Sequence, residues 1–299
     1  MTPLNRRDFL KTGSAALGAA VLTDLTTRVV GEGEALAQGA GGPTYEVFAC
    51  KYGGTIVRSL AVSMWNTGWD EQGPINYYVW AIKGPGELIL VDTGPSPAEA
   101  AARKVPNFTN SVDVLARMGA KADTVTKVVI SHMHWDHVGN VDAYLKAFPR
   151  AKFYVQKREL EFAARNPVAQ RKPVSILFDA AASRRLAEAA GTDRVVVLDG
   201  DATIAPGVEL LLAPGHTLGL QATRVPTAKG PAIVASDLAH VFRGMKEDTG
   251  STFVMDMPAW IQSFDKVKAR AALDLIFPGH DVQMAQGYPK AFDDVTRLA

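Results

Sequence analysis

Apolar and polar positions alternate along residues 44–60, TYEVFACKYGGTIVRSL, on either side of a Gly-Gly pair. Period-two alternation around such a pair predicts a β-hairpin. Residues 75–94, INYYVWAIKGPGELILVDTG, give two further β-rich runs joined by a Gly-Pro-Gly turn. From residue 111 the period changes. SVDVLARMGA has helical spacing, TKVVIS is a short buried strand, and VDAYLKAF is helical again. Residues 153–191 begin as a strand and continue as helix, broken near Asn166-Pro167 and Lys172-Pro173. Short strands are expected at RVVVLD, VELLLAP, LQATRVP and PAIVAS, and helices at PAWIQSFDKVKARAAL and YPKAFDDVTRLA. No short repeat and no domain boundary interrupts this order, so the pattern predicts one mixed α/β domain with sheets covered by helices.

Composition narrows the function. The chain has 299 residues, 47% of them hydrophobic, with 32 Lys+Arg against 31 Asp+Glu for a net charge of +1. That is ample material for a core, and the absence of a basic run removes the electrostatic case for nucleic acid. The expected partner is a small molecule. With a single cysteine, Cys50, no intramolecular disulfide is available.

The first residues follow another logic. NRRDFLK places Arg6 and Arg7 ahead of the mildly apolar TGSAALGAAVL, and EALAQ then offers Ala35 and Ala37 at an A-x-A cleavage position. This order resembles a twin-arginine signal, so residues 1–37 are expected to be a signal peptide and residues 38–299 the mature domain, starting near Gln38 after export to the periplasm or beyond. The apolar run is too short and glycine-rich for a stable membrane anchor. Twin-arginine substrates are generally exported folded, often with a metal or cofactor already in place.

SHMHWDHVGN, residues 131–140, gathers His132, His134, Asp136 and His137 in the loop after a predicted strand, where α/β sheets carry their chemistry. Three later residues each follow a predicted strand in the same way: His216 in APGHTLG, Asp237 in VASDLAH and His280 in FPGHD. Imidazole and carboxylate donors together suit zinc first, with manganese, iron or cobalt as alternatives.

With VDTG, PGHT, SD and PGH, these motifs resemble the metallo-β-lactamase superfamily over nearly the whole chain after residue 37. The resemblance implies an αββα four-layer sandwich with the site along one edge. It assigns His132, His134 and His216 to a first metal, Asp136, His137 and His280 to a second, Asp237 as the bridge, and Asp92 as a group that orients them. Two cations about 3.5 to 4 Å apart hold a bridging hydroxide at neutral pH and polarise a carbonyl or phosphoryl oxygen, which implies hydrolysis, with Asp136 and His240 as catalytic residues. Class B1 β-lactamases carry arginine where His137 stands, and flavodiiron proteins carry glutamate where His134 stands. The intervals His216–Asp237 (21) and Asp237–His280 (43) are similar to those of N-acyl homoserine lactone lactonases. Those enzymes commonly place a tyrosine three residues after the bridging aspartate. Here the position holds His240, a feature similar to organophosphate hydrolases of the superfamily, which keeps phosphotriester or aryl-ester hydrolysis open as an alternative to lactone opening.

Met64, Trp65, Trp69, Met133, Trp135 and Phe178 are candidates for an apolar pocket wall. The helical segment 157–190 is a candidate lid or homodimer contact.

Overall fold

Two β-sheets pack face to face with helices on both outer sides in the computed structural model, which describes residues 42–299. The signal segment and the start near Gln38 lie outside the described residues. In chain order the structure runs β1 (Glu46–Ser59), β2 (Gln72–Gly84), β3 (Glu87–Val91), α1 (Pro97–Ala102), α2 (Ser111–Ala116), β4 (Val125–Val129), α3 (Trp135–Val138) and α4 (Val141–Ala147). It continues with β5 (Lys152–Gln156), α5 (Lys157–Arg165), α6 (Lys172–Ser175), α7 (Ala180–Ala189), β6 (Val195–Leu198), β7 (Ala202–Ala205), β8 (Val208–Leu212), β9 (Gln221–Thr227) and β10 (Gly230–Ser236). Last come α8 (Phe242–Lys246), α9 (Met257–Lys268), β11 (Ile276–Pro278), α10 (Gln283–Gln286), β12 (Lys290–Phe292) and β13 (Val295–Arg297).

The larger sheet has the order β12-β13-β1-β2-β3-β4-β5-β6, antiparallel as far as β3 and parallel from β3 to β6. The smaller sheet has the order β11-β10-β9-β8-β7 and is parallel only between β10 and β11. Strand β2 shows why the layers form. Tyr77, Val79 and Ala81 point to an outer core with helical residues such as Leu115, Val141 and Tyr144. Tyr78, Trp80 and Ile82 point inward, to a core with Leu210, Val225, Val234 and Phe277 of the smaller sheet. A strand covered on both faces reads as a continuous apolar run, as β2 does. On the far side of the smaller sheet, Trp260, Phe264 and Val267 of α9 cover Leu211, Ala222 and Ile233. Three cores between four layers make the αββα sandwich.

Two expectations are corrected. The first Gly-Gly pair is not a hairpin turn; β1 is one 14-residue strand, with register shifts between Lys51 and Gly53 and between Gly54 and Ile56. Gly54, at φ 117°, accommodates the second irregularity, which alternation alone does not reveal. The C-terminal YPKAFDDVTRLA is not helical; β12 and β13 form a hairpin, and β13 pairs with Phe48–Cys50 of β1. That pairing and the burial of Val295 and Leu298 outweigh a weak local helical pattern. Strand β7 is an element the alternation does not mark.

Candidate metal centre

Strand ends of both sheets deliver the site. His132 lies three residues past the end of β4, and His134, Asp136 and His137 lie at and within α3. The smaller sheet supplies His216 between β8 and β9, Asp237 immediately after β10, and His280 after β11. Gly279 is required for this approach, since a Cβ there would collide with the Asp237 carboxylate. All seven side chains expected from the sequence are brought together, and all are buried.

The donor atoms of His132, His134 and His216 lie within 4.8 Å of one another, as do those of Asp136, His137 and His280, and His132, His137 and Asp237 form a trio across the two. Asp237 lies between them. Its Oδ2 is 3.4 Å from His216 Nε2, 3.9 Å from His132 Nε2 and 3.3 Å from His280 Nε2, and its Oδ1 is 3.4 Å from His137 Nε2 and 3.3 Å from His280 Nε2. His132 Nε2, His137 Nε2 and Asp237 Oδ1 are buried without a hydrogen-bond partner. Unsatisfied polar atoms converging on one point fit a cation, which would satisfy them together. These His and Asp residues are therefore positioned to bind metal ions.

For the first trio the electrostatics agree with that reading. Burial, reinforced by neighbouring imidazoles, pushes His132 and His134 well below the usual histidine range, and His216 is lowered mainly by burial. These are neutral rings at pH 7, with lone pairs available. Burial disfavours charge on His137 too, but Asp237, Asp136 and Asp92 together hold it well above the ordinary value. Burial likewise disfavours charge on Asp237, yet His280, His137 and His240 hold it well below the carboxylate range.

An outer ring of hydrogen bonds fixes the rings. Asp92 accepts from the Ser131 N–H at 2.7 Å, from the Ser131 hydroxyl at 2.8 Å and from His137 Nδ1 at 2.8 Å. The orienting role expected for Asp92 thus has a geometric basis. His280 Nδ1 donates to the Asn76 carbonyl at 2.9 Å, and Tyr52 donates to the Asp136 carbonyl at 2.6 Å. Glu159 of α5, which sequence reasoning missed, accepts from Met133 N–H at 2.9 Å through Oε1 and from Gly219 N–H at 2.8 Å through Oε2. It ties the His132–His134 loop to the loop after His216. A lone acid on a helix carries no sequence signal for this role. His240 lies at the edge of the cluster, with Nε2 3.0 Å from Asp237 Oδ2, and burial lowers its pKa to about 3.

Beside the cluster is a cavity of about 190 Å³, lined by His134, His216, Pro173, Val174, Leu177, Phe178 and residues 252–255. Of the six pocket candidates, only Phe178 lines it. Met64 and Met133 are packed in the interior, Trp135 lies against Tyr77 and under Arg103, and Trp65 and Trp69 are exposed. A larger depression of about 450 Å³ at Arg117 and residues 290–293 contains none of the clustered residues, so size does not mark the site.

The metallo-beta-lactamase superfamily model matches residues 72–280, and a twin-arginine translocation pathway signal sequence matches residues 3–23. The chain belongs to the metallo-beta-lactamase superfamily and carries a twin-arginine signal. An N-acyl homoserine lactonase from Bacillus sp is 24% identical over 229 residues, covering 71% of this chain and 82% of the relative. The crystal structure of a quorum-quenching N-acyl homoserine lactone lactonase is similar at TM-score 0.66 and 21% identity, covering 84% of this chain and 98% of that one. A dizinc quorum-quenching lactonase in complex with a product is similar at TM-score 0.63 and 21% identity, covering 81% and 89%. Among the described residues no helix is long and apolar enough to cross a membrane.

Proposed function

We propose that this chain is a dinuclear metal-dependent hydrolase that opens a lactone ring, an N-acyl homoserine lactone or a related lactone. The observation that carries the reading is that two trios of buried donors with no residue in common, His132–His134–His216 and Asp136–His137–His280, have the same carboxylate, Asp237, within 3.9 Å of members of both. Similarity to lactonases supports the substrate class. When bound, a pair of divalent cations, zinc first, supplies Lewis acidity and a nucleophile from water at neutral pH.

The chain's own groups do the rest. His134 and His216 border the cavity, so the acyl substituent lies against Val174, Leu177 and Phe178, which exclude water from it. The Asp136 side chain is 12% exposed against 4% for Asp237, which leaves Asp136 as the acid that faces substrate and handles the proton. His240, neutral at pH 7, donates a hydrogen bond to the carbonyl or the departing ring oxygen. Export places the enzyme in the periplasm or outside the cell, with residues 38–299 as the mature domain.

Metal analysis and a panel of acyl homoserine lactones, aliphatic lactones, phosphotriesters, aryl esters and nitrocefin test this reading. Two metals per chain and preferential lactone turnover are expected. A fully metallated protein that turns over phosphotriesters or aryl esters and no lactone overturns it.

A further inference from the structure

All six histidines of the chain lie at this site, and what stands behind each ring differs. His137 Nδ1 donates to Asp92 and His280 Nδ1 to the Asn76 carbonyl. His132 Nδ1 lies 3.0 Å from Ser131 Oγ, a hydroxyl whose proton already goes to Asp92, so the oxygen accepts. His216 Nδ1 lies 3.2 Å from Ser251 Oγ. An acceptor behind a ring holds the proton on the outer nitrogen and leaves the inner one bare for a cation.

His240 has the opposite partner. Its Nδ1 is 3.2 Å from Nη2 of Arg58, and a guanidinium donates only and stays charged. Arg58 is near the end of β1, beyond both register shifts, with its charge near Asp136 and Asp237. We propose that Arg58 is a positioning residue: by donating to His240 Nδ1 it fixes the proton on Nε2, so that His240 stays off the metals and donates a hydrogen bond into the site.

The consequence is specific. By distance alone His240 forms a further trio with His216 and Asp237 and looks like one more ligand. A protonated nitrogen has no lone pair to give, so Arg58 removes His240 from the ligand set and reserves it for substrate oxygen. Its Nε2 is buried and lacks an aligned partner even though Asp237 Oδ2 is 3.0 Å away. The inference rests on the hydrolase reading above for the use of that proton, and on geometry alone for its position.

Nitrogen-15 histidine NMR of the zinc-loaded full chain reads the tautomer without substrate, with His240→Gln assigning the resonance. His240 is expected to show a protonated Nε2 and a bare Nδ1. A zinc-bound Nε2 with the proton on Nδ1 overturns the proposal. In lactone turnover, Arg58→Leu is expected to lower kcat about tenfold with KM little changed, the size of one lost hydrogen bond, and Arg58→Lys to restore part of the rate. In a His240→Gln background, where an amide donates with no tautomer to fix, Arg58→Leu should cost little more. Full additivity of the two changes also overturns the proposal. Because the NMR arm needs no substrate, failure of the lactone reading and failure of the tautomer are told apart.

Discussion

Glu159 is the residue through which the first trio is most exposed to change. Its two carboxylate oxygens take backbone N–H groups from the loops on either side of the site, and it is fully buried. Glutamine keeps the size but offers one acceptor and turns an NH2 toward the other N–H. Glu159→Gln is therefore expected to weaken binding at the His132–His134–His216 trio about 10- to 100-fold, read by chelator competition, with the other trio nearly unaffected. Equal loss at both trios would show that Glu159 supports the fold rather than this trio. The contrast with the histidines explains what the sequence discloses. Cation donors are restricted to a few residue types at close spacing, so SHMHWDHVGN, His216, Asp237 and His280 are legible in the sequence alone. Glu159, Arg58 and Ser251 act through whatever the fold places beside them, and an ordinary charged or hydroxyl residue in a helix or strand announces nothing.

The same distinction holds for elements. Segment 157–190, read from its prolines as broken helix, folds as α5, a short 3-10 turn and α6, followed by α7. This insert brings Phe178 to the mouth of the site, where its ring lies edge-on to His134 with centroids 4.8 Å apart and also packs on Phe162. Phe178→Ala is expected to raise KM for acyl lactones several-fold with kcat largely kept, because it opens the cavity wall beside His134 while every donor atom remains. It should also destabilise the protein by about 3 kcal/mol, as loss of a buried ring does, visible in denaturant unfolding. A fall in kcat at constant KM would place Phe178 in the chemistry instead. Strands with strict alternation or buried apolar runs are legible. The bulged β1 and the β12–β13 hairpin are not, because glycine irregularities and terminal pairing are decided by the partner strand rather than by the segment itself.

In the whole molecule, neither sheet owns the site: one contributes the loop after β4 and the other the loops after β8, β10 and β11. The layered architecture is legible from the motifs and the alternation together, since a strand apolar on both faces needs a layer on each side. Strand order is not, because pairings between distant segments leave no local mark. One of those pairings has a bearing on timing. Strand β1 begins at Glu46 yet receives its outer neighbour only from residues 295–297, with the Leu298 N–H also donating to the Val47 carbonyl. A growing chain thus carries the bare edge of β1 until residues 295–297 have emerged, and the larger sheet cannot close before then. Chains stopped at residue 288 are expected to be cut rapidly by protease under conditions where the 299-residue chain resists, and equal resistance of the two would remove the argument. A sheet closed by so distant a pairing suits a molecule that carries a twin-arginine signal: the edge of β1 is covered by the folding of the domain as a whole and not strand by strand.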